Sequence, residues 1–350
     1  EEIELDPPGF GEVLVKVSAA GLCHSDLSVV NGNRPRVMPM VLGHEGSGVV
    51  EALGDGVDSF EVGDHVVYIF VPSCGNCIPC KEGRPALCGP GLAVNGAGTL
   101  LSGEKRIHLN GDLINHQVGV SCFAEYTVVS SKSLVKVDKT LPLDEAALFG
   151  CAVITGAGAV FNTAKIRAGS TVAVIGLGGT GLAALMGAKA AGASKIIGID
   201  LLKEKLDIAK QLGADEVYKA DDPNLLENLR TFTNGGVNYS FECAGSEKAI
   251  ELAYKILRRG GTTVSSGLSH PDKNFSIQHV DLVAGEKTIK GSFLGSCVPD
   301  RDIPAYIDLY KAGRLPVDRL MSDHITLDEV NEGFDKLSDG STVRQVISFN

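Results

Sequence analysis

Hydrophobic residues are spaced differently on the two sides of residue 171. Before it, short apolar runs such as residues 13–17 and 48–53 partly alternate with polar residues, and Gly and Pro separate them. That pattern is typical of a β-rich domain with few helices. From Thr171 to Gly291, short β-branched runs alternate with longer amphipathic stretches. This alternation predicts an α/β fold with a doubly wound parallel sheet.

The same pattern predicts individual elements. In the parallel sheet, strands are predicted at 172–175, 196–199, 216–218, 238–241, 262–266 and 287–289, with helices such as 203–212 and 247–257 between most of them. Outside the sheet, helices are predicted at 142–148, 304–312 and 327–337, and a strand at 344–349. The Gly-rich stretch 92–117 is predicted to be a long surface excursion.

A glycine-rich loop, Gly176-Leu177-Gly178-Gly179-Thr180-Gly181, joins the first strand of this region to a helix-forming run. In such a loop the first glycine permits a tight turn, the second lets backbone approach a pyrophosphate, and the third lets helix pack on strand. The helix N-terminus then offers its free N–H groups to the phosphates. The next strand ends at Asp200, whose carboxylate could bind a ribose diol and would repel a 2′-phosphate. The loop and Asp200 therefore predict a dinucleotide site that prefers NAD to NADP.

Composition and charge restrict the function. The chain has 350 residues, enough for two domains, and 44% of them are hydrophobic. With 32 Lys and Arg against 43 Asp and Glu, the net charge is −11, and the absence of a long basic run argues against nucleic acid as a partner. Stretches 146–164 and 170–188 are uncharged but Gly-rich, so we interpret them as buried core rather than membrane spans. The opening Glu-Glu-Ile-Glu shows no secretory signal, and N-terminal residues are expected to be missing because no initiator Met is present.

Nine cysteines are an odd number, and six of them fit metal sites, which favours a reducing cytoplasm over a disulfide framework. Cys74, Cys77, Cys80 and Cys88 are separated by two, two and seven residues. Four thiolates on a short loop, with no open position, are typical of structural zinc. An iron–sulfur cluster is the alternative, but the ferredoxin run has its fourth cysteine after three residues and then Pro, whereas Gly89 follows here.

A second group of candidate ligands is spread more widely along the chain. Taken singly, Cys23, His44 and Cys151 are more typical of packing or structural residues than of ligands. Together they would form a site of two thiolates and one imidazole with an open fourth position, as in a catalytic zinc site. Asp26 and Glu45 stand beside two of these residues, where carboxylates could tune the metal.

These motifs resemble those of the zinc-containing medium-chain dehydrogenase/reductase family and, within it, the zinc-dependent alcohol dehydrogenases. The matching segments occur in the family's order along nearly the whole chain: Gly-Leu-Cys-His-Ser-Asp at 21–26, Gly-His-Glu with its following glycines at 43–57, Gly-Asp-His-Val at 63–66, the four-cysteine lobe at 74–88, and the glycine loop. The resemblance implies a β-rich GroES-like catalytic domain, residues 1–152 and 293–350. It also implies a Rossmann domain, residues 153–292, with the substrate cleft between the two.

The same resemblance implies a function: reversible hydride transfer from a small alcohol to NAD, giving an aldehyde or ketone, in a homodimer or homotetramer with one catalytic and one structural zinc per chain. It makes Cys23, His44 and Cys151 the catalytic ligands and Ser25 the hydroxyl that bonds the alkoxide. The remaining roles that it implies are pyrophosphate contacts for His24 and Arg344, a ribose contact for Lys205, and cleft walls for Phe70 and Phe123. The proton relay of the family often ends in a histidine at the position of Ser28.

The same motifs allow two other interpretations of the function. The first keeps the enzyme and changes the substrate to a polyol or an S-hydroxymethyl-thiol adduct, a choice that the composition of the cleft would decide. The second is a non-catalytic nucleotide sensor on the same fold. It predicts the loss of a zinc ligand or of Ser25, and all of these residues are present.

Overall fold

The computed structural model describes residues 1–349, which form two compact units. The first unit comprises Glu1–Cys151, Val298–Ile307 and the chain from Met321 onward, and the second comprises Ala152–Cys297 and Asp308–Leu320. The resemblance assigned all of 293–350 to the catalytic domain. The structure instead groups Ala152, residues 293–297 and Asp308–Leu320 with the second unit, in which the turn Val317–Leu320 packs on the helix Gly179–Ala190.

The regular elements are numbered in chain order. The strands are β1 (Glu4–Leu5), β2 (Glu12–Gly21), β3 (Met40–Val41), β4 (Gly46–Leu53), β5 (His65–Tyr68), β6 (Ile107–Leu109), β7 (Asp112–His116), β8 (Tyr126–Ser130), β9 (Leu134–Val137), β10 (Thr171–Ile175), β11 (Lys195–Asp200), β12 (Glu216–Lys219), β13 (Val237–Glu242), β14 (Leu257–Ser265), β15 (Thr288–Gly291), β16 (Met321–Ile325) and β17 (Arg344–Ser348). The α-helices are α1 (His24–Val30), α2 (Ile78–Lys81), α3 (Gly89–Ala97), α4 (Leu143–Ala147), α5 (Ala152–Gly158), α6 (Gly179–Ala190), α7 (Lys203–Leu212), α8 (Leu225–Thr233), α9 (Glu247–Lys255), α10 (His279–Ala284), α11 (Pro299–Lys311) and α12 (Val330–Ser338).

The first unit is built on a seven-stranded sheet in the order β16-β17-β2-β4-β5-β9, with β8 pairing with β2, and on a smaller sheet in the order β1-β6-β7-β3. Along β2, Val13, Val15 and Val17 are buried while Lys16 is exposed, as the alternating sequence predicts. These valines belong to a hydrophobic core that also contains Tyr68. This core holds in place the end of β2 and the start of β4, next to which two of the candidate ligands lie.

The second unit contains a six-stranded sheet in the order β12-β11-β10-β13-β14-β15, and every adjacent pair is parallel. Counted from β10 as the first strand, this is the 3-2-1-4-5-6 order of a Rossmann sheet. The apolar residues of the central strands β10 and β11 are almost fully buried, because helices cover parallel sheets on both faces. The predicted fold class, a Rossmann domain with a β-rich GroES-like domain, is confirmed.

The predicted helix 247–257 is too long at its end, since α9 ends at Lys255 and Leu257 is already in β14. Three other predicted elements differ more from the observed ones. β14 begins at Leu257 rather than at the predicted 262. Leu257 already pairs with Val237, but the sequence Arg-Arg-Gly-Gly that follows it interrupts the hydrophobic pattern of the strand. α11 begins at Pro299 rather than at 304, and the Asp302 carboxylate accepts the N–H of Val298 at its start. Residues 92–117, predicted to be a surface excursion, contain part of α3 and the β6–β7 hairpin.

The two uncharged stretches lie in α-helices and strands of the two units. Among the described residues, no single helix is both long and apolar enough to cross a bilayer, and one bent pair of helices, Leu143–Gly150 with Ala152–Ala164, passes by length and composition.

Candidate active site

One buried carboxylate organises the start of α1. Cys23 caps this helix, and its N–H donates to Asp26 Oδ2 at 3.0 Å. The other oxygen of Asp26 lies 2.6 Å from Nδ1 of His44, which stands just before β4. Asp26 is fully buried, so these two contacts orient its carboxylate. Asp26 therefore fixes the backbone at Cys23 and leaves Nε2 of His44 free to face a metal.

Cys23, His44 and Cys151 are brought together although they are far apart in the sequence. Their ligand atoms all lie within 4.8 Å of one another, and Cys151 Sγ is 3.4 Å from His44 Nε2. Tetrahedral zinc, with a Zn–S bond of about 2.3 Å and a Zn–N bond of about 2.0 Å, separates such atoms by about 3.6 Å. The geometry therefore fits zinc, and a set of three ligands leaves the fourth position for a substrate atom.

The electrostatics of this group favour a bound cation. The hydrogen bond from Cys151 lowers the pKa of the Cys23 thiol well below its usual value, while that same bond and burial raise the pKa of Cys151. Burial lowers the pKa of His44, but the charge and hydrogen bond of Asp26 outweigh it and raise that pKa above its usual value. When a metal ion binds, it takes the place of the protons that these two thiols and the imidazole otherwise hold.

Glu45 and Arg344 form a second buried pair beside the ligands. Arg344 Nη1 donates to the carbonyl of Leu22 at 2.6 Å, and Nη2 lies 3.6 Å from Glu45 Oε2. Burial alone would lower the pKa of Arg344, but the negative charges of Glu45, Cys23 and Cys151 raise it. This guanidinium therefore partly balances the charge of two thiolates and a carboxylate.

Ser25 and Ser28 lie on α1 and have different partners. Ser25 Oγ accepts a hydrogen bond from Arg34 Nη1 at 3.3 Å, a contact that the sequence reasoning missed. Ser28 Oγ donates to the carbonyl of His24 at 2.7 Å, within the helix. His24 itself is exposed at the first position of α1. Ser28 is thus engaged by its own helix, and Arg34 is the polar group beside Ser25.

The two phenylalanines predicted to line the cleft have different environments. Phe70 packs edge-on against the ring of His44, with ring centroids 5.4 Å apart. Phe123 is buried in the core of the first unit next to Phe334. Its backbone N–H crowds Gly43, where a Cβ would lie 2.5 Å from that nitrogen and where φ is +101°. Glycine is therefore required at 43 to bring His44 into place.

The four cysteines 74, 77, 80 and 88 also converge. Cys77 Sγ lies 3.4 Å from Cys80 Sγ and 3.9 Å from Cys88 Sγ, close to the separation of about 3.8 Å expected around tetrahedral zinc. The N–H of Cys74 and that of Gly91 donate to Cys88 Sγ. The backbone N–H of Cys80 lowers the pKa of the Cys77 thiol to about 6. Burial raises the pKa of Cys80 to about 12 and also raises that of Cys88, where the two N–H donors oppose it. The closed set of four thiols fits structural zinc, which would take the place of the protons that two of them hold.

The glycine loop adopts the geometry that the sequence predicts. Gly176 has φ of +86°, and a Cβ there would lie 2.7 Å from the nitrogen of Ala244. A Cβ on Gly181 would collide with the carbonyl of Gly176 at 1.8 Å, so helix and strand are too close for any side chain. Gly178 caps α6 and Gly179 is its first residue. The helix N-terminus is thereby exposed to a phosphate.

The Asp200 carboxylate lies at the end of β11, beside the loop. It accepts the N–H of Leu177 at 2.7 Å and that of Leu202 at 3.0 Å. Asp200 therefore holds the loop in shape, a second role that spacing alone did not indicate. Lys205 lies on α7 and is buried.

Comparisons with known proteins identify the class. The model of the "Alcohol dehydrogenase GroES-like domain" matches residues 9–139, and that of the "Zinc-binding dehydrogenase" matches residues 179–312. A class-3 alcohol dehydrogenase of Drosophila melanogaster is 39% identical over 355 residues, covering 100% of this chain and 93% of the relative. The chain belongs to the zinc-containing alcohol dehydrogenase family of medium-chain dehydrogenases.

Two solved structures extend the comparison. Benzyl alcohol dehydrogenase from Acinetobacter calcoaceticus superposes with a TM-score of 0.94 at 35% identity, covering 100% of this chain and 95% of that one. A short chain alcohol dehydrogenase from E. coli CFT073, solved with the cofactor NADH, gives 0.81 at 25% identity and covers 99% and 94%. The chain is an oxidoreductase, and the prediction of NAD and two zinc ions as its cofactors is confirmed.

Proposed function

We propose that the chain reversibly oxidises a small alcohol with NAD, giving an aldehyde or ketone, NADH and a proton. The convergence of Cys23, His44 and Cys151, with the histidine oriented by a buried Asp26, carries the proposal. A zinc ion with three protein ligands can bind the substrate at its open fourth position and take part in catalysis, whereas a zinc ion held by four cysteines has only a structural role. A nucleotide sensor would not need the open position.

Each residue near the open position has a defined task. Zinc held there supplies Lewis acidity, which lowers the pKa of a bound alcohol. Asp26 keeps His44 in one tautomer and one orientation. Phe70 covers the edge of the imidazole and excludes water from that side. The hydroxyl of Ser25 relays the proton of the alcohol: it accepts that proton on the lone pair that Arg34 leaves free and passes its own proton on to the cofactor ribose or to water.

Ser25→Ala is expected to slow hydride transfer by about 10²–10⁴-fold, because proton acceptance by a positioned group contributes that much. Single-turnover formation of NADH measures the step. Ser28→Ala is the matched control and should leave the rate unchanged, since Ser28 Oγ bonds only to its own helix. Ser25→Thr, which retains a hydroxyl, should recover most of the rate. An unchanged rate in Ser25→Ala would remove Ser25 from the proton path.

The cofactor side rests on the second unit. A Cβ on Gly178 would meet open space, so this residue leaves room for a pyrophosphate at the start of α6, whose first residue is Gly179. Gly176 and Gly181 allow the tight turn and the close packing of the loop, and Asp200 has the position for the adenosine ribose. We assign further cofactor contacts to His24 and Arg344 at the pyrophosphate and to Lys205 at the ribose. The exposure of His24 and the positive charge of Arg344 support the first two contacts.

Asp200→Gly is expected to narrow the preference for NAD over NADP by at least about tenfold, because the carboxylate that repels a 2′-phosphate is removed. The affinity for NAD should also fall, since the loop loses its bond to Leu177 N–H. Steady-state kcat/KM for both cofactors gives the ratio, and Asp200→Glu, which keeps the charge, should retain the preference. A wild-type protein that used NADP better than NAD would contradict the ribose argument.

The reaction is tested by initial rates of NADH formation from zinc-loaded protein and a panel of primary, secondary and aromatic alcohols, polyols and S-hydroxymethyl-thiol adducts. We expect saturable oxidation of simple alcohols. A polyol or a thiol adduct oxidised at least about tenfold better would replace the simple alcohol as substrate within the same reaction. No oxidation of any compound would overturn the proposal.

We also infer that the protein works as a homodimer or homotetramer in a reducing cytoplasm. β15 is the last strand of its sheet, and near it Val280 and Val283 on α10 are 70% and 63% exposed. Apolar side chains near an uncovered sheet edge favour pairing with a second copy. The two sets of metal-binding thiols support a reducing compartment. Light scattering that gave a monomer mass would contradict the assembly.

A further inference from the structure

A pair of arginines next to Ser25 has no acidic partner. Four arginines in the described chain are buried or half-buried, and two of them pair with glutamates: Arg106 with Glu12 and Arg344 with Glu45. Arg34 and Arg36 are half-buried, and no carboxylate within residues 1–349 forms an ion pair with either. In a chain of net charge −11, two neighbouring guanidinium groups without an acid are unusual.

Arg34 is held beside the hydroxyl of Ser25, and Arg36 follows it after one residue. Both residues lie in the segment between α1 and β3, and the N–H of Arg34 donates to the carbonyl of Ser28 at 2.7 Å. The side chain of Arg34 reaches back to Ser25 Oγ at 3.3 Å. The guanidinium of Arg36 feels the positive charge of Arg34, and burial and this charge lower its pKa. An anion placed between them would relieve that repulsion.

We propose that Arg34 and Arg36 bind a carboxylate on the substrate, so that the preferred alcohols are short hydroxy acids and the preferred aldehydes are the matching aldehyde acids. The inference rests on the proposed function, since it names the substrate class of the same site. The planar guanidinium binds a carboxylate through two parallel N–H bonds, and two such groups fix its orientation.

Distance limits the length of the substrate. The reacting hydroxyl would bond to Ser25 Oγ at about 2.7 Å, so Arg34 Nη1 at 3.3 Å from that oxygen lies within about 6 Å of the reacting oxygen. A carboxylate must then be separated from the carbinol carbon by only a few carbons. Arg34 also touches the proton acceptor, whereas Arg36 does not, so Arg36 is the cleaner probe of substrate binding alone.

The test compares terminal hydroxy acids with neutral alcohols of equal carbon number: hydroxypropanoate, hydroxybutanoate and hydroxypentanoate against propanol, butanol and pentanol. The wild type should favour at least one hydroxy acid over its neutral partner by about tenfold or more in kcat/KM. Arg34→Gln and Arg36→Gln should each reduce that ratio by about 10–100-fold, as expected for the loss of a charge-assisted bond, and Arg36→Gln should act mainly through KM. Arg36→Lys should recover part of the ratio.

Arg314→Gln is the matched control, because it removes the same charge from an exposed position in the second unit and should leave the ratio unchanged. Neutral alcohols that are oxidised as well as hydroxy acids by the wild type would overturn the inference and leave the proposed function standing. A variant that raised KM for NAD while retaining the ratio would assign the arginines to the cofactor and also overturn it. If a hydroxyalkyl phosphate of equal length is oxidised faster than the hydroxy acid, the substrate group that the arginines bind is a phosphate and not a carboxylate. Absence of any alcohol oxidation would reject the proposed function itself.

Discussion

His44→Ala is expected to abolish alcohol oxidation, by at least about 10³-fold, while the fold is retained. The imidazole is one of three ligands, and a site with only two thiolates holds zinc too weakly to keep it at the open position. The several kcal/mol of charge stabilisation that a Lewis acid supplies would then be lost, and each 1.36 kcal/mol is tenfold in rate. Elemental analysis should find one zinc per chain instead of two, and the far-ultraviolet circular dichroism should match that of the wild type.

The matched control for this change is His324→Ala, because His324 is an exposed histidine on β16 that pairs with Asp144 away from the ligands. It should keep both zinc ions and the wild-type rate. His44→Ala protein that retained two zinc ions and full turnover would show that His44 is not a ligand. If His44→Ala does not fold, Asp26→Asn tests the same site, because it keeps all three ligands and only loosens His44. This variant should lose its catalytic zinc at a lower chelator concentration than the wild type.

Cys77→Ser is expected to release the other zinc and to lower the free energy of unfolding by at least about 4 kcal/mol, as loss of a structural metal does. Between Cys74 and Cys88 the one α-helix is the four-residue α2, and Ala86 is the one buried apolar side chain apart from Cys88, so the metal is what orders this stretch. Denaturant unfolding measures the change, and elemental analysis should again find one zinc per chain.

Asn76→Ser provides the control for Cys77→Ser, since Asn76 is an exposed neighbour in the same loop and offers no thiolate. It should keep two zinc ions and the wild-type stability. Iron with visible absorbance in the purified protein would contradict the zinc assignment of the lobe. Equal stability of Cys77→Ser and wild type would show that the cluster has no structural role.

The fold was predictable from the sequence wherever local patterns determine it. β-branched runs separated by amphipathic helices are enough to predict six parallel strands, and the end of β10 and the start of α6 follow from the glycines. β14 was placed too late because two arginines and two glycines interrupt its pattern, although Leu257 already pairs with Val237. The start of α11 was placed too late because Pro304 is typical of a first turn, whereas here it lies inside the helix.

The site was predictable where chemistry restricts residue type, and less so where contacts decide. Cysteines at metal-ligand spacing and a histidine after a glycine identified both clusters before any contact was known. The two hydrogen bonds of Asp26, one with Cys23 and one with His44, form only because the start of a helix lies next to the start of a strand in the fold. The contact of Arg34 with Ser25 spans nine positions and joins α1 to the irregular segment that follows it, for which no periodicity exists.

The central claim is that hydride passes directly from the carbinol carbon of an alcohol to NAD. It is tested by oxidising, in ordinary water, the most active alcohol of the panel with deuterium in place of every hydrogen on its carbinol carbon, and by measuring the mass of the reduced cofactor. Direct transfer predicts one deuterium on the nicotinamide ring of every NADH formed. Reduced cofactor without deuterium would mean that hydrogen exchanges with solvent on the way, and it would contradict this mechanism.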